Sequence, residues 1–147
     1  MNAIKLLIDD HKKVEDLFLE FEQLGDADGA QKAKLAEQVC KELTVHAVVE
    51  EELFYPAARQ TFDTQDDKLI DRAEEEHSEA KKKIANIKTM STGNTLNAEM
   101  KKLKEAIEHH VEKEETEMFP KLEKMGMETV QLGSRMMARK LQLISTL

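Results

Sequence analysis

Tryptophan is absent, cysteine occurs once, proline twice and glycine five times in the 147 residues, and aromatic residues make up only 4%. One cysteine, Cys40, admits neither an intrachain disulfide nor a thiolate metal cluster. Glycine and proline are too sparse for a β-sandwich, which needs a turn signal every few residues. No apolar run approaches the ~20 residues of a membrane span. The N-terminal MNAIKLLIDDHKK lacks the apolar core and the small-residue cleavage site of a signal peptide. Positive charge is short as well: 22 Lys and Arg face 30 Asp and Glu, a formal net charge of -8. Only Arg135, Arg139 and Lys140 lean basic, and they read as a solvated helix face. Neither nucleic acid nor membrane is an expected partner. A cytoplasmic protein of one domain, residues 1–147, is the expectation.

Hydrophobic residues make up 40% and charged residues 35%, enough for a core under a highly charged surface. Three polar clusters break the chain: GDADG at Gly25–Gly29, the patch around residues 60–66 with Thr64 as an N-cap, and STGN at Ser91–Asn94 with Thr95 as the next cap. A softer break lies between Met125 and Gly133. Between breaks the apolar residues recur in steps of three and four. Ile4, Leu7, Ile8, His11, Val14, Phe18 and Phe21 form the first stripe, and Leu35, Val39, Leu43, His46, Val49 and Leu53 the second. The third is Ile70, Ala73, His77, Ala80, Ile84 and Ile87; the fourth is Leu103, Ile107, His110, Glu114 and Met118. Long amphipathic helices with short connections predict an all-α, up-down-up-down four-helix bundle over residues 2–122. A further C-terminal helix, about 128–146, packs on one side through Leu132, Met136 and Leu141.

The second half repeats the first. HAVVEEELFYP from His46 aligns with HVEKEETEMFP from His110, and His11 aligns with His77 at nearly the same offset. Both prolines, Pro56 and Pro120, fall at the same place in the repeat and predict a kink beyond each Glu. The bundle is thus two pseudo-repeated helical hairpins.

Each apolar stripe contains one histidine, and all four stand at similar distances along the chain from the adjoining breaks. At ~1.5 Å rise per residue the four converge on one level of the bundle. His46 and Glu50, like His110 and Glu114, are spaced i, i+4 and share a face. A buried carboxylate among imidazoles is costly unless a metal ion compensates it. Four His and two Glu exceed one tetrahedral zinc and suit two ions bridged by the carboxylates. The mixed N/O set favours iron over manganese or zinc.

The pattern His11, His46–Glu50, His77, His110–Glu114 resembles the hemerythrin-like (HHE cation-binding) family, over residues 1–122 and including the LFYP and MFP tails. The resemblance implies a non-haem di-iron centre with Glu50 and Glu114 bridging, His11 and His46 on one iron, His77 and His110 on the other. Oxygen-carrying hemerythrins have a further His one turn after the third and a shorter acid in the last position; Lys81 and Glu114 stand there in this chain. That departure predicts a symmetric centre with an open position on each iron. Such a centre favours peroxide or nitric-oxide redox chemistry, including catalase-like disproportionation, over reversible oxygen carriage. An iron- or oxygen-sensing module without turnover is the alternative, and a structural zinc or metal-free layer a third reading.

The remaining polar residues read more plainly. His109 faces outward, and Glu51, Glu52, Glu112 and Glu115 read as solvated. Tyr55, about 140° from Glu50 on a straight helix, reads as lying outside the ligand set unless the Pro56 kink brings it closer to the metals. Lys81 is assigned either to the surface or to a hydrogen bond near the site, and no separate general acid or base is evident in the core. Glu74–His77 is a lone ExxH where a ferritin-like bundle needs two. The implied partner is a small diatomic or peroxide ligand, and the chain is expected as a monomer or weak homodimer.

Overall fold

The computed structural model describes residues 1–25, 28–90 and 94–147, and the described residues form helices and connections without a strand. The chain runs α1 (Ala3–Gln23), α2 (Gly29–Val49), α3 (Tyr55–Thr61), α4 (Asp67–Lys88), α5 (Asn94–Lys113), α6 (Phe119–Lys124) and α7 (Val130–Thr146). Two single π-helical turns, Glu50–Phe54 and Glu114–Met118, join α2 to α3 and α5 to α6. Each composite rod acts as one bundle helix. The architecture is the expected four-helix bundle of two hairpins with an additional C-terminal helix.

α1 pairs with α2 and α4 with α5, while α2 also packs on α4. Asn2 opens α1 by accepting the Lys5 N–H, and Asp28 opens α2 by accepting that of Gln31. Two apolar clusters fill the bundle. One, at the end of the first connection, centres on Phe18, Phe21, Val39, Leu96 and Leu103; the other, at the opposite end, on Leu7, Phe54, Tyr55, Ile70, Phe119 and Leu122. The four stripe histidines lie at the level between them.

Several local expectations need correction. The kink expected at the prolines omits a change of helix register. Pro56 and Pro120 sit in the first turn of α3 and α6, directly after the π turns. The rod widens just before them: Tyr55 N–H reaches the Glu50 carbonyl and Phe119 N–H that of Glu114, both i→i+5. Thr64 caps nothing, since α4 begins at Asp67 behind a turn in which Asp63 Oδ1 accepts the Asp66 N–H. Thr95 falls inside α5, and Asp26, Ala27 and Ser91–Gly93 of the expected breaks lie outside the described residues. Ile8 is 39% exposed, because the buried face of α1 turns through Leu6 and Asp10 instead.

α7 lies across α1, α2 and the first π turn. Leu132 and Met136 are buried as expected, but Leu141 is 59% exposed. The stripe steps from Met136 to Lys140, which turns inward, and on to Leu143 against the core. Gly133 makes the approach possible, because a Cβ there would meet the backbone of Met1 and stand 2.8 Å from Ala3 N. The same junction is tied by Ala3 N–H to Thr129 O at 2.9 Å. Among the described residues, no helix is long and apolar enough to cross a membrane.

Candidate metal centre

All six residues singled out by the repeat converge between the two apolar clusters. His46, Glu50, His77, His110 and Glu114 are buried, and the His11 side chain is 8% exposed. Their donor atoms fall into two overlapping groups, each within 4.8 Å: His11, His46, Glu50 and Glu114, and Glu50, His77, His110 and Glu114. The rings pair accordingly, His11 with His46 at 4.9 Å between centroids and His77 with His110 at 4.8 Å. Glu50 Oε1 stands 3.1 Å from His46 Nε2 and 3.0 Å from His77 Nε2, so it reaches both pairs. Glu114 does likewise, 3.2 Å from His11 Nε2 and 3.4 Å from His110 Nε2.

Four of these atoms are fully buried without a hydrogen bond: His11 Nε2, His46 Nε2, Glu50 Oε2 and Glu114 Oε1. The short His–Glu approaches are Coulombic contacts whose angles do not align as hydrogen bonds. Buried polar atoms are rarely left unpaired, because each costs about 1–3 kcal/mol. A cluster of orphaned imidazole nitrogens and carboxylate oxygens is the donor set that a divalent or trivalent cation satisfies. The residues fit a metal.

Behind the belt, every histidine is held at Nδ1 by a carboxylate. His11 meets Glu115 at 2.6 Å, His46 meets Asp10 at 3.0 Å, His77 meets Glu51 at 2.8 Å and His110 meets Glu76 at 2.9 Å. A proton held on Nδ1 leaves the Nε2 lone pair facing the site, the tautomer a metal needs. Glu51 and Glu115 are therefore not the solvated residues that the sequence suggested. Each lies one residue beyond a belt Glu, and each reaches across to the neighbouring helix. Lys81 meets both assignments: its side chain is 55% exposed, and its Nζ pairs with Glu51 Oε1 at 2.8 Å. The basic patch near the C-terminus is also put to use, Lys140 reaching Asp10 at 2.6 Å and Arg139 pairing with Glu52. His109 faces outward, its side chain 61% exposed.

The larger surprise is Tyr55. It is 1% exposed, and its Oη donates to Glu114 Oε2 at 2.6 Å while lying 3.3 Å from Glu50 Oε1 and 3.2 Å from His77 Nε2. On a straight α-helix Tyr55 points away from Glu50. The π turn widens the spiral by one residue and brings positions five apart onto one face. The signal was the repeated proline one residue later. The repeat pairs Tyr55 with Phe119, whose ring stacks on His11 at 6.1 Å, so only the His77–His110 side gains a phenol.

Charge settles on these groups in opposing senses. Burial works against an imidazolium at His46, yet Glu50 and Asp10 outweigh it and raise the group to about 10. His110 is likewise held well above its ordinary value by Glu114, Glu50 and Glu76 against the effect of burial. Glu50 lies well below the carboxylate range despite burial, because His46, His110 and His77 surround it. Burial, then Glu114 and Glu50, push the Tyr55 phenol well above 10.0.

Comparison with known proteins gives the same picture. Residues 2–122 match the family model of the hemerythrin HHE cation binding domain. The fold superposes with TM-score 0.83 on a crystal structure of a hemerythrin HHE cation binding domain-containing protein from Mycobacterium kansasii, at 23% identity, covering 99% of this chain and 89% of that one. A curated relative, a DNA nickase of Nostoc sp. PCC 7120, is 34% identical over 123 residues, 81% of this chain. The chain spans only about a third of that relative's length, 33%.

Proposed function

The chain belongs to the hemerythrin HHE cation-binding family, and on that premise we propose that its cation site holds two iron ions and reacts with peroxide or nitric oxide. His11 and His46 would hold one iron and His77 and His110 the other, with Glu50 and Glu114 shared. The observation that carries this reading is the set of orphaned donors, two imidazole nitrogens and one oxygen from each shared Glu, buried at the junction of two overlapping N/O groups. Iron at such a site supplies one-electron redox steps and open positions for a small ligand.

The rest of the work falls to the chain. The four Nδ1 carboxylates fix ring orientation and tautomer. Tyr55 Oη, at 2.6 Å from Glu114 Oε2 and 3.2 Å from His77 Nε2, would place a hydroxyl proton beside the metal ligands. This answers the lack of an acid or base in the sequence reading. Phe54, Met118 and Phe119, each no more than 2% exposed, close the carboxylate side to bulk water. Nicking is the activity named for the Nostoc protein, most of whose length lies outside the match.

Metal analysis with the absorption spectrum before and after dithionite tests the proposal. About two irons per chain, with a charge-transfer band that bleaches on reduction and returns with peroxide, is the expected result. Bound zinc, or a colourless protein that refuses iron, would refute it. Purification under chelator-free conditions keeps the comparison fair.

A further inference from the structure

The four histidines form one end of an apolar cavity of about 280 Å³ that extends toward the first connection. Its walls come from all four bundle helices, through residues such as Val14, Leu43, Ala80, Ile84, Ala106 and Val111. Glu50, Glu114 and Tyr55 do not line it. The site therefore has a polar side sealed by aromatic packing and an imidazole side facing apolar space.

The size of that space is the telling quantity. An apolar cavity of about 150 Å³ takes benzene, with its six non-hydrogen atoms. By the same ratio 280 Å³ holds about eleven. Hydrogen peroxide, dioxygen and nitric oxide have two each and leave most of the space unfilled. Most of the exposed lining is apolar, and polar groups gather at the histidine end, where Asp10 and Glu76 also line it.

We infer that the cavity binds the hydrocarbon part of an organic hydroperoxide, R–O–O–H, with R an apolar group of about nine carbons and the peroxide end against the histidines. This rests on the peroxide reading above and names its substrate class. The reaction is ROOH + 2 e⁻ + 2 H⁺ → ROH + H₂O. The O–O bond breaks, the oxygen on carbon leaves as the alcohol, and the distal oxygen takes the remaining proton to become water. The two electrons come from a dithiol reductant, which ends as a disulfide with release of two protons.

Cumene hydroperoxide, with nine carbons and two oxygens, is the probe substrate, and its product cumyl alcohol is the unreactive ligand. Titration calorimetry of the metal-loaded protein with cumyl alcohol should show one saturable site per chain. Ala106→Phe, filling the cavity one turn from His110, should weaken that binding and raise KM for cumene hydroperoxide at least tenfold. Metal content should stay within twofold, and the rate with hydrogen peroxide should fall far less than the rate with cumene hydroperoxide. Ala80→Leu provides a second, milder filling should the first variant lose its helical circular dichroism. The inference is overturned by absence of saturable binding, by binding indifferent to a folded filling variant, or by a protein that consumes hydrogen peroxide and leaves cumene hydroperoxide untouched. Inertness toward both peroxides would instead overturn the peroxide reading itself, along with this inference.

Discussion

Lys140→Met tests whether α7 is a cover over the first hairpin or a support for the metal centre. Lys140 Nζ sits 2.6 Å from Asp10 Oδ1, and the other oxygen of Asp10 holds His46 Nδ1 at 3.0 Å. The two side chains are 17% and 9% exposed. Removing one partner of a fully buried pair costs about 3–5 kcal/mol, because the other charge is left uncompensated. Here water reaches the lysine end, and His46 still faces Asp10, so the expected loss is about 2 kcal/mol. Methionine keeps the aliphatic stem and its packing. For a domain of this length that loss lowers Tm by about 4–8 °C. Asp10→Asn keeps an acceptor for His46 but turns an amide toward Lys140, and it should cost a similar amount. The double variant should recover at least about 1 kcal/mol of the summed losses. Thermal and urea unfolding of all four proteins, stripped of metal by chelator, measures the cycle. Losses that add to within about 0.3 kcal/mol would refute the coupling and leave α7 as simple packing.

Two further outcomes follow from the geometry. Gly133→Ala places a Cβ against the backbone of Met1 and Ala3, neither of which can yield as a side-chain tip does; it should cost at least about 1–3 kcal/mol and expose α7 to hydrogen exchange ahead of the bundle, and unchanged protection of α7 would refute the close approach. The metal-free protein should be most stable between pH 4.5 and 6.5. His46, raised from 6.5 to about 10, contributes stability that is full below pH 6.5 and lost as pH rises toward 10, while Glu50, lowered from 4.5, contributes stability that is present above pH 4.5 and lost on acidification. Metal loading needs neutral imidazoles, so affinity should move the opposite way and strengthen as pH rises above 6.5. Melting temperatures of chelator-treated protein across this range check the first half, and a flat profile sinks it.

The bundle and the six belt residues were legible because both rest on periodicity. A step of three or four marks the buried face, and a histidine on that face at equal distance from each break stands out against the apolar background. The carboxylates behind the belt were harder. Glu51 and Glu115 follow belt glutamates directly, so a helical wheel rotates them about 100° toward solvent. Their partners lie on the neighbouring helix, which a single-helix wheel does not contain. One trace was nonetheless present. Glu51 and Glu115 stand as far apart as Glu50 and Glu114, and Asp10 and Glu76 as far apart as His11 and His77, so the acids repeat along with the belt residues beside them in the chain. Lys140 was hidden for a different reason: a lysine in an apolar step reads as the end of the stripe, although here it continues the stripe to reach a buried aspartate.

Tyr55 marks the limit of that kind of reading and changes the chemistry most. A symmetric donor set follows from the repeat only if both rods keep the α register, and neither does. The wider turn at Glu50–Phe54 and its counterpart at Glu114–Met118 aim position 55 and position 119 at the belt. The repeat then places a phenol on one side and a phenyl ring on the other. Tyr55 Oη lies within 3.3 Å of both shared glutamates and of His77, whereas Phe119 stacks on His11 and offers no oxygen. The two halves of the centre are therefore unequal in proton supply and in oxygen donors, although their His and Glu ligands correspond one to one. On the proposed reading, one iron would have a hydroxyl beside its ligands and the other a phenyl ring. For the peroxide chemistry proposed above, that inequality would suit cleavage of an unsymmetrical O–O bond, in which one oxygen must be protonated and released, better than even-handed bridging of a diatomic.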